Sequence, residues 1–576
     1  MVRKVHGSSA LCVALLAANA CSGGDAGAAA EASFDATGAS TAVQADGDGI
    51  LGDVEVTVGP HSTISALVEA ETTEDAVVTV EVSADHAVAA DPPATGTGTS
   101  HRVPVVGMRA ETDHTVTVTA SGDDGGEGSA SVSWTTGSLP EDLPPLTVDT
   151  AEGEAMASGV TLFNALTFDS FLSEDAEPPE HDGFVLAVDE TGEVVWYYRT
   201  APAVLDVAPT QDGTLLLSVN DTVIREIDLL GNTVRELATR VATDLGTDYA
   251  GQELLTDDSE PITVDSSHHE LFPLDNGNLM TFSTELIELD PGAAAELCPG
   301  NPEPTIVADV VVELTPEGEV AQEWPLADVF DPVARPGVEM CVDPIAFSPP
   351  TWFYPPTDST RDWTHANSVV VDEDRNLMLL SLRHLDAVVA LRYHDDDQGP
   401  AGELLWELGA AGSLAMAGDG SWPYHQHAVQ PQADTSSYLL YDNGNYRPGT
   451  SFDGEPGEPP YSRAVLYDVD EEAGTVRQLW EHRDTAADGR PVYAGFLGDA
   501  DRLENGDVLI THGAATEADG SLYARLVEVV PGDAADGSDD DIVFDLTVGG
   551  GDAGWMVYRS DRFASLYAPG ALASEG

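Results

Sequence analysis

QDGTLLLSVNDTVIREIDLLGNTVREL (211–237) carries a Gly-marked turn, an apolar run, a polar run and a closing run that ends at a second turn. The same order returns in LDNGNLMTFSTELIELDPG (274–292), EDRNLMLLSLRHLDAVVALRY (373–393) and LENGDVLITHGAATEADGSLYARLVEVV (503–530). GFVLAVDETGEVVWYYR (183–199) and GELLWELG (402–409) read as the outer-strand halves of the same unit. No long run of helical period interrupts them. Repeats of roughly 45–60 residues, each made of four short strands, are the signature of β-propeller blades. The stretch 148–571 holds roughly 420 residues with long inserts, which suits six blades, with five or seven as alternatives.

Upstream, residues 51–138 change in character. VEVTVGP, ISALVEAET, AVVTVEVSA, HRVPVVGM, HTVTVTASG and ASVSWTTG alternate apolar and polar residues in short runs. Their spacing of about ten residues predicts a small fibronectin-III-like β-sandwich. SLPEDLPPL (138–146) is a Pro-rich linker. The expected fold class is therefore all-β, a six-bladed β-propeller preceded by a β-sandwich. Free sandwich edges offer a route to a homodimer.

Residues 22–50, rich in Ala, Gly, Ser and Asp, read as a flexible tether. Residues 1–21 read as a lipoprotein signal peptide: Arg3 and Lys4 precede the apolar run Ala10–Ala18, and Cys21 follows Ala20. The expectation is an exported, periplasmic or cell-surface lipoprotein that meets the membrane only through a lipid anchor at Cys21. Cleavage after Ala20 without lipid is the alternative. Cys298 and Cys341 remain, and an even pair in an exported chain predicts a disulfide, against two buried thiols.

With 102 acidic and 22 basic residues the net charge is −80, and Lys4 is the sole lysine. Such a surface repels nucleic acid and anionic membrane, which argues against both as partners. It also makes any arginine beside a histidine cluster conspicuous. Three segments carry such a cluster: SSHHELFPLDNGN (266–278), DWTHANSVVVDEDRNLMLLSLRH (362–384) and WPYHQHAVQ (422–430). They fall in different repeats, and a propeller turns the inner strands of all its blades toward one channel, so residues distant in sequence can meet there. Imidazoles, the Asn367 amide and the Arg383 guanidinium are groups that hold and transfer an oxyanion.

D-W-x-H-x-N-S at 362–368, S-x-R-H at 381–384, Q-H-A at 426–428, Y-D-N-G-N at 441–445 and H-H-E with L-x-N-G-N at 268–278 together resemble the bacterial arylsulfate sulfotransferase family. The likeness extends over the sandwich and the C-terminal NGDVLIT, about 500 residues in all. It implies a propeller enzyme that moves a sulfuryl group from an aryl sulfate donor to a phenolic acceptor with no nucleotide sulfate donor, cofactor or metal. Carried over by motif, the transiently sulfated histidine is His427. His365, Asn367 and Arg383 complete the second segment, and the first segment contributes His268 or His269. His269 is favoured because it precedes the acidic residue. His425 stands where the family often has a small residue.

Elementary chemistry agrees with these roles. Neutral imidazole is a nucleophile near neutral pH. Arg383 offers a planar fork to sulfonate oxygens, and Asn367 a neutral donor. His365 or His269 can protonate the leaving phenolate and then deprotonate the incoming phenol. Trp352, Trp363, Trp422 and Tyr424 are candidate walls for the aryl ring. Adjacent strand residues point apart, so His384 is expected on the face opposite Arg383. His394, His482 and His512 are expected to be structural, and Asp442-Asn443-Gly444 a turn. Two other readings remain: a His-ligated metal-dependent hydrolase, in which His425 and His427 share one strand face, and a non-catalytic ligand-binding lipoprotein.

Overall fold

A computed structural model describes residues 49–85, 88, 91–167, 183–246, 254–298, 305–338, 360–433, 435–451, 456–550 and 554–567, with the backbone of Ser40–Gln44. The signal peptide, Cys21, Cys341 and Trp352 lie outside the described residues, and with them the expected Cys298–Cys341 bridge.

The N-terminal unit is one hydrogen-bonded system of six strands folded into two layers. Ala66–Ser83 is the long strand that links them: its first half pairs with Leu51–Val58 and Gly98–Val105, its second half with Asp113–Gly122. Burial alternates strictly along Glu127–Thr135, as expected of a sheet with one wet face. The inward residues Val54, Val56, Val68, Val116, Val118, Val132 and Trp134 form its core. One difference from expectation lies in the tether: Ser40–Gln44 is a strand, antiparallel to Leu51–Val58 from Ser40↔Thr57 to Gln44↔Asp53. The alternation of Thr41 and Val43 within an Ala/Ser background was too short to read.

The rest of the described chain forms six sheets of four or five strands. Their inner edges are, in chain order, Val160–Thr167, Val204–Pro209, His268–Pro273, Ala366–Asp372, His427–Pro431 and Asp499–Arg502, the first being covered by Trp555–Met556 and Ser560–Phe563. Neighbouring inner strands touch in that order, and Val508–Thr516 of the last sheet meets Ser560–Phe563 of the first. The circuit closes twice. Ser560–Phe563 pairs antiparallel with Val160–Thr167, and Leu146–Ala151 pairs with Asp541–Gly549 as the outermost strand of the last sheet.

Strands in the middle of these sheets are buried on both faces. Gly183–Val188, Leu377–Leu382, Ala387–Arg392 and Ser437–Asp442 are buried at every position. Each sheet is covered by its two neighbours, so continuous apolar runs replace alternation. The N-terminal unit docks on the first sheet: Ile64 joins the Phe163–Leu186 cluster, Arg109 forks onto Asp189, and the Val106 amide donates to the Tyr567 hydroxyl at 2.7 Å.

His482 and His512 clip the fifth sheet to the sixth, as structural histidines do. His482 Nδ1 lies 2.7 Å from Asp540, and His512 Nε2 lies 2.8 Å from Asp484. His482 Nε2 sits 3.4 Å from Asp484, an ion-pair distance. Burial opposes charge on His482, but Asp484 and Asp540 outweigh it and push its pKa up to about 9. The folded value exceeds the unfolded one of about 6.5, so this stabilisation is complete below pH 6.5 and is lost as pH rises through 9. Urea denaturation between pH 6 and 10 should therefore show an alkaline loss of about 2–3 kcal/mol that is absent from His482→Gln.

Candidate active site

The three histidine segments meet at the starts of the inner strands of the third, fourth and fifth sheets. The His269 ring lies 4.9 Å from that of His365 and 6.4 Å from that of His427. The backbone device is repeated. His269, His365 and Ala428 have φ of 62°, 47° and 57°. Ladder registers slip at the same places, between His268 and Phe272, Ala366 and Ser368, and His427 and Gln430. A left-handed residue with a bulge re-aims the side chain at a strand end. Such φ values strain residues that carry a Cβ, and strain of this kind concentrates at functional positions.

His427 is buried, and its Nδ1 lies 2.7 Å from the Gly498 carbonyl oxygen. A carbonyl only accepts, so Nδ1 carries the proton and Nε2 keeps its lone pair. Nε2 has no hydrogen-bond partner among the described residues. Burial, with help from Arg559, His365 and Arg383, holds the His427 pKa well below the usual imidazole range. The ring is thus neutral at pH 7 and presents one nucleophilic nitrogen.

The doublet divides by contact. His268 stacks on Phe282 at 5.6 Å, and its Nε2 is 3.4 Å from Asp309. His269 is the member beside His365, His427 and Tyr558. Its pKa is held well below the ordinary value by burial first and by the neighbouring histidines next. His365 Nδ1 meets Asp362 at 2.5 Å, and burial lowers its pKa despite that carboxylate.

Arg383 is buried in a 3-10 turn, Arg383–Leu385, and donates through Nη2 to the Gly495 carbonyl at 3.1 Å. The strand ends at Leu382, so His384 does not point away as strand geometry predicts. Its ring packs on His365 at 4.5 Å. Asn367 donates to the Gln426 carbonyl at 2.9 Å, tying the fourth sheet to the residue before His427. This gives Asn367 a positioning contact; the sequence suggested a donor to substrate.

Other expectations change as well. His425 has φ of 52° and precedes the strand, so it shares no strand face with His427; its Nδ1 lies 2.7 Å from Asp386. Trp363 is fully buried in the core and donates to the Arg335 carbonyl, which removes it as an aryl wall. Arg463 closes the fifth sheet from inside, ion-paired with Asp442 and Glu481. Asn443 donates to the carbonyls of Ala494 and Leu497, each at 2.8 Å, and so steadies the approach to Gly498.

Sequence reasoning missed Arg559 and Tyr558. Both arrive from the closing segment of the first sheet, far in sequence from any histidine motif. Tyr558 lies 5.1 Å from the His427 ring and donates to the His269 carbonyl at 2.9 Å. Arg559 pairs with Glu270 at 2.8 Å and donates to the Asn367 carbonyl at 2.5 Å. The scarcity of cations was the one available signal. Among the described residues, Asp362, His365 and His384 are one grouping with donor atoms close enough for a metal. Asp362 already pairs with His365, and the Arg383 cation directly precedes His384 in the same turn.

Gly498 has φ of 105°, and a Cβ there would stand 2.6 Å from the Tyr441 ring and 2.7 Å from the Thr511 carbonyl oxygen. Gly498→Ala should cost about 1–3 kcal/mol in chemical denaturation. It should also speed solvent exchange of the His427 Nδ1 proton in NMR spectra. An unchanged exchange rate would show that the carbonyl does not fix the ring.

Residues 147–559 match the arylsulfotransferase (ASST) family and residues 53–137 the arylsulfotransferase Ig-like domain. Two relatives, each named Arylsulfate sulfotransferase AssT, come from Escherichia coli O6:H1 and Lelliottia amnigena. The first is 26% identical over 214 residues and the second 24% over 212, covering 31% of this chain and 35% of each relative. A Bacteroides caccae protein of unknown function aligns at TM-score 0.35 and 13% identity, over 70% of this chain and 98% of its own. A hypothetical selenium-binding protein from Sulfolobus tokodaii aligns at TM-score 0.38 and 10% identity, over 71% and 95%. On the match over 147–559, the chain belongs to the arylsulfotransferase family.

Proposed function

We propose that the protein transfers a sulfuryl group from an aryl sulfate ester to a phenol through a covalent sulfohistidine at His427, with no nucleotide sulfate donor. The observation that carries this reading is the Gly498 carbonyl on His427 Nδ1. It leaves a neutral ring with a lone pair at Nε2, beside His269 and within the field of Arg383 and Arg559. Family membership and the names of the two relatives support the same chemistry.

The Nε2 lone pair attacks sulfur as the S–O(aryl) bond breaks. The sulfonate oxygens carry the charge, and Arg383 holds them. His269 or His365 gives the leaving oxygen a proton and takes one from the acceptor. The acceptor phenol then removes the sulfuryl group from His427, giving two half-reactions. Two guanidiniums beside the cluster oppose a metal ion and suit an anion.

The six sheets in closed contact support a six-bladed propeller spanning 148–571, behind a sandwich at 51–138. Export with a lipid anchor at Cys21, a Cys298–Cys341 bridge and a homodimer stand as further proposals from the sequence.

With 4-nitrophenyl sulfate and phenol, nitrophenol release beyond one equivalent should require the acceptor and ignore chelator, and all release should vanish in His427→Ala. Without acceptor, the tryptic peptide containing His427 should gain one SO3 group when kept alkaline. Full turnover by His427→Ala would overturn the assignment, and loss on chelation would favour a metal enzyme.

A further inference from the structure

The His268–His269 contact is unusual in its atoms: the two Nδ1 nitrogens face each other at 2.8 Å. Two such nitrogens hydrogen-bond only if one carries a proton and the other a lone pair. The far nitrogen of His268, Nε2, faces the Asp309 carboxylate at 3.4 Å. Asp309 is itself fixed, accepting from the Thr364 hydroxyl and the Ala366 amide, each at 2.6 Å. Those two residues bracket His365. His269 is held at its amide by Asp221 at 3.1 Å and at its carbonyl by the Tyr558 hydroxyl at 2.9 Å, so the backbone that carries its ring is fixed on both sides.

We propose that Asp309, His268 and His269 form a proton store for the transfer reaction, in which His269 exchanges the proton with aryl oxygen and His268 and Asp309 are positioning residues. This rests on the sulfuryl-transfer reading above. In the resting state His268 is an imidazolium, its Nε2–H toward Asp309 and its Nδ1–H donating to His269 Nδ1. His269 is neutral, with its proton on Nε2. In the first half-reaction the S–O(aryl) bond breaks, the N–S bond to His427 forms, and the leaving oxygen takes the His269 Nε2 proton. In the same step the proton between the rings passes from His268 Nδ1 to His269 Nδ1, so that no imidazolate forms, and His268 becomes neutral. In the second half-reaction the acceptor phenol gives its proton to His269 Nε2, and the inter-ring proton returns to His268. Protons balance over the cycle, and none is exchanged with solvent.

The surroundings suit the resting charges. Burial opposes charge on His268, yet Asp309, Asp221 and Asp362 together raise its pKa above the ordinary imidazole value. His269 faces His365, His268, His427 and Arg559, which with burial keep it neutral. The store also gives the doublet two distinct duties, which explains why both rings are buried there.

A proton donor matters in proportion to how badly the leaving group needs one. Sulfo-enzyme formation in single turnovers should therefore be compared for phenyl sulfate, a poor leaving group, and 4-nitrophenyl sulfate, a good one. His268→Gln should slow the phenyl sulfate reaction by about 100-fold and the 4-nitrophenyl sulfate reaction by less than about 3-fold. Asp309→Asn should show the same bias. Equal losses on both donors, or none, would overturn the store and leave a structural role. Wild-type pH profiles provide a second test that needs no variant. The imidazolium is present below the raised His268 pKa and is lost as pH climbs through it. Turnover of phenyl sulfate should thus fall at alkaline pH more steeply than that of 4-nitrophenyl sulfate, and superimposable profiles would overturn the proposal. Wild-type protein inert toward both donors would instead sink sulfuryl transfer itself, and the store with it.

Discussion

Ser560–Phe563 lies along Val160–Thr167, and Arg562 reaches Thr161, 401 positions away in sequence. That pairing closes the circuit of sheets. A sheet buries both faces only if a neighbour stands on each side, so the fully buried strands of the six sheets depend on the circuit being shut. The pairing also delivers Tyr558 and Arg559 to the histidine cluster. Packing and chemistry are thereby joined: a chain that stopped short of Tyr558 would lack both its last inner strand and the cation that pairs with Glu270. The N-terminal unit adds to the closure from outside, because Val106 holds Tyr567 just beyond the pairing strand.

Charge is distributed unevenly across this scaffold. The chain carries few cations, yet Arg463 and Arg559 are spent in the interior against Asp442, Glu481 and Glu270. Removing one partner of such a buried pair leaves an uncompensated charge and costs about 3–5 kcal/mol. Around Arg559 the acids outnumber the cation. Burial first, with neighbouring acids such as Asp206, pushes the Glu270 pKa up to about 8. Burial and the Asp499 and Asp206 carboxylates raise Asp561 to about 7. The inner strands therefore hold acids whose charge burial disfavours, beside the neutral rings of His269 and His427, an interior in which an arginine supplies the positive field.

Much of this was readable in the sequence, and the reasons differ by element. The sheets were legible because turns marked by Gly or Asn punctuate apolar runs, as in 211–237 and 503–530. The histidine segments were legible because His268, His269, His365 and His427 each open an inner strand beside a recognisable motif. Local backbone defeated the finer readings. Strand logic put His384 opposite Arg383 and His425 on the face of His427. A 3-10 turn and a left-handed residue cancelled both. Trp363 looked available for substrate because its motif neighbours are, but its indole fills the core. Arg559 was hidden by topology: no local pattern says that a residue near 560 will meet one near 427. Ser40–Gln44 was hidden by composition.

The atom that sets the His427 tautomer is a main-chain oxygen. Side-chain exchange cannot delete it, and substitution at 498 acts only by displacing the backbone. The His427 tautomer is therefore insulated from sequence drift, whereas the rings around it, His269, His365 and Tyr558, are exchangeable side chains. If the proposed sulfuryl transfer holds, such a protein can change which aromatic compounds it accepts through many single substitutions without re-solving the harder problem of keeping one imidazole nitrogen ready to react.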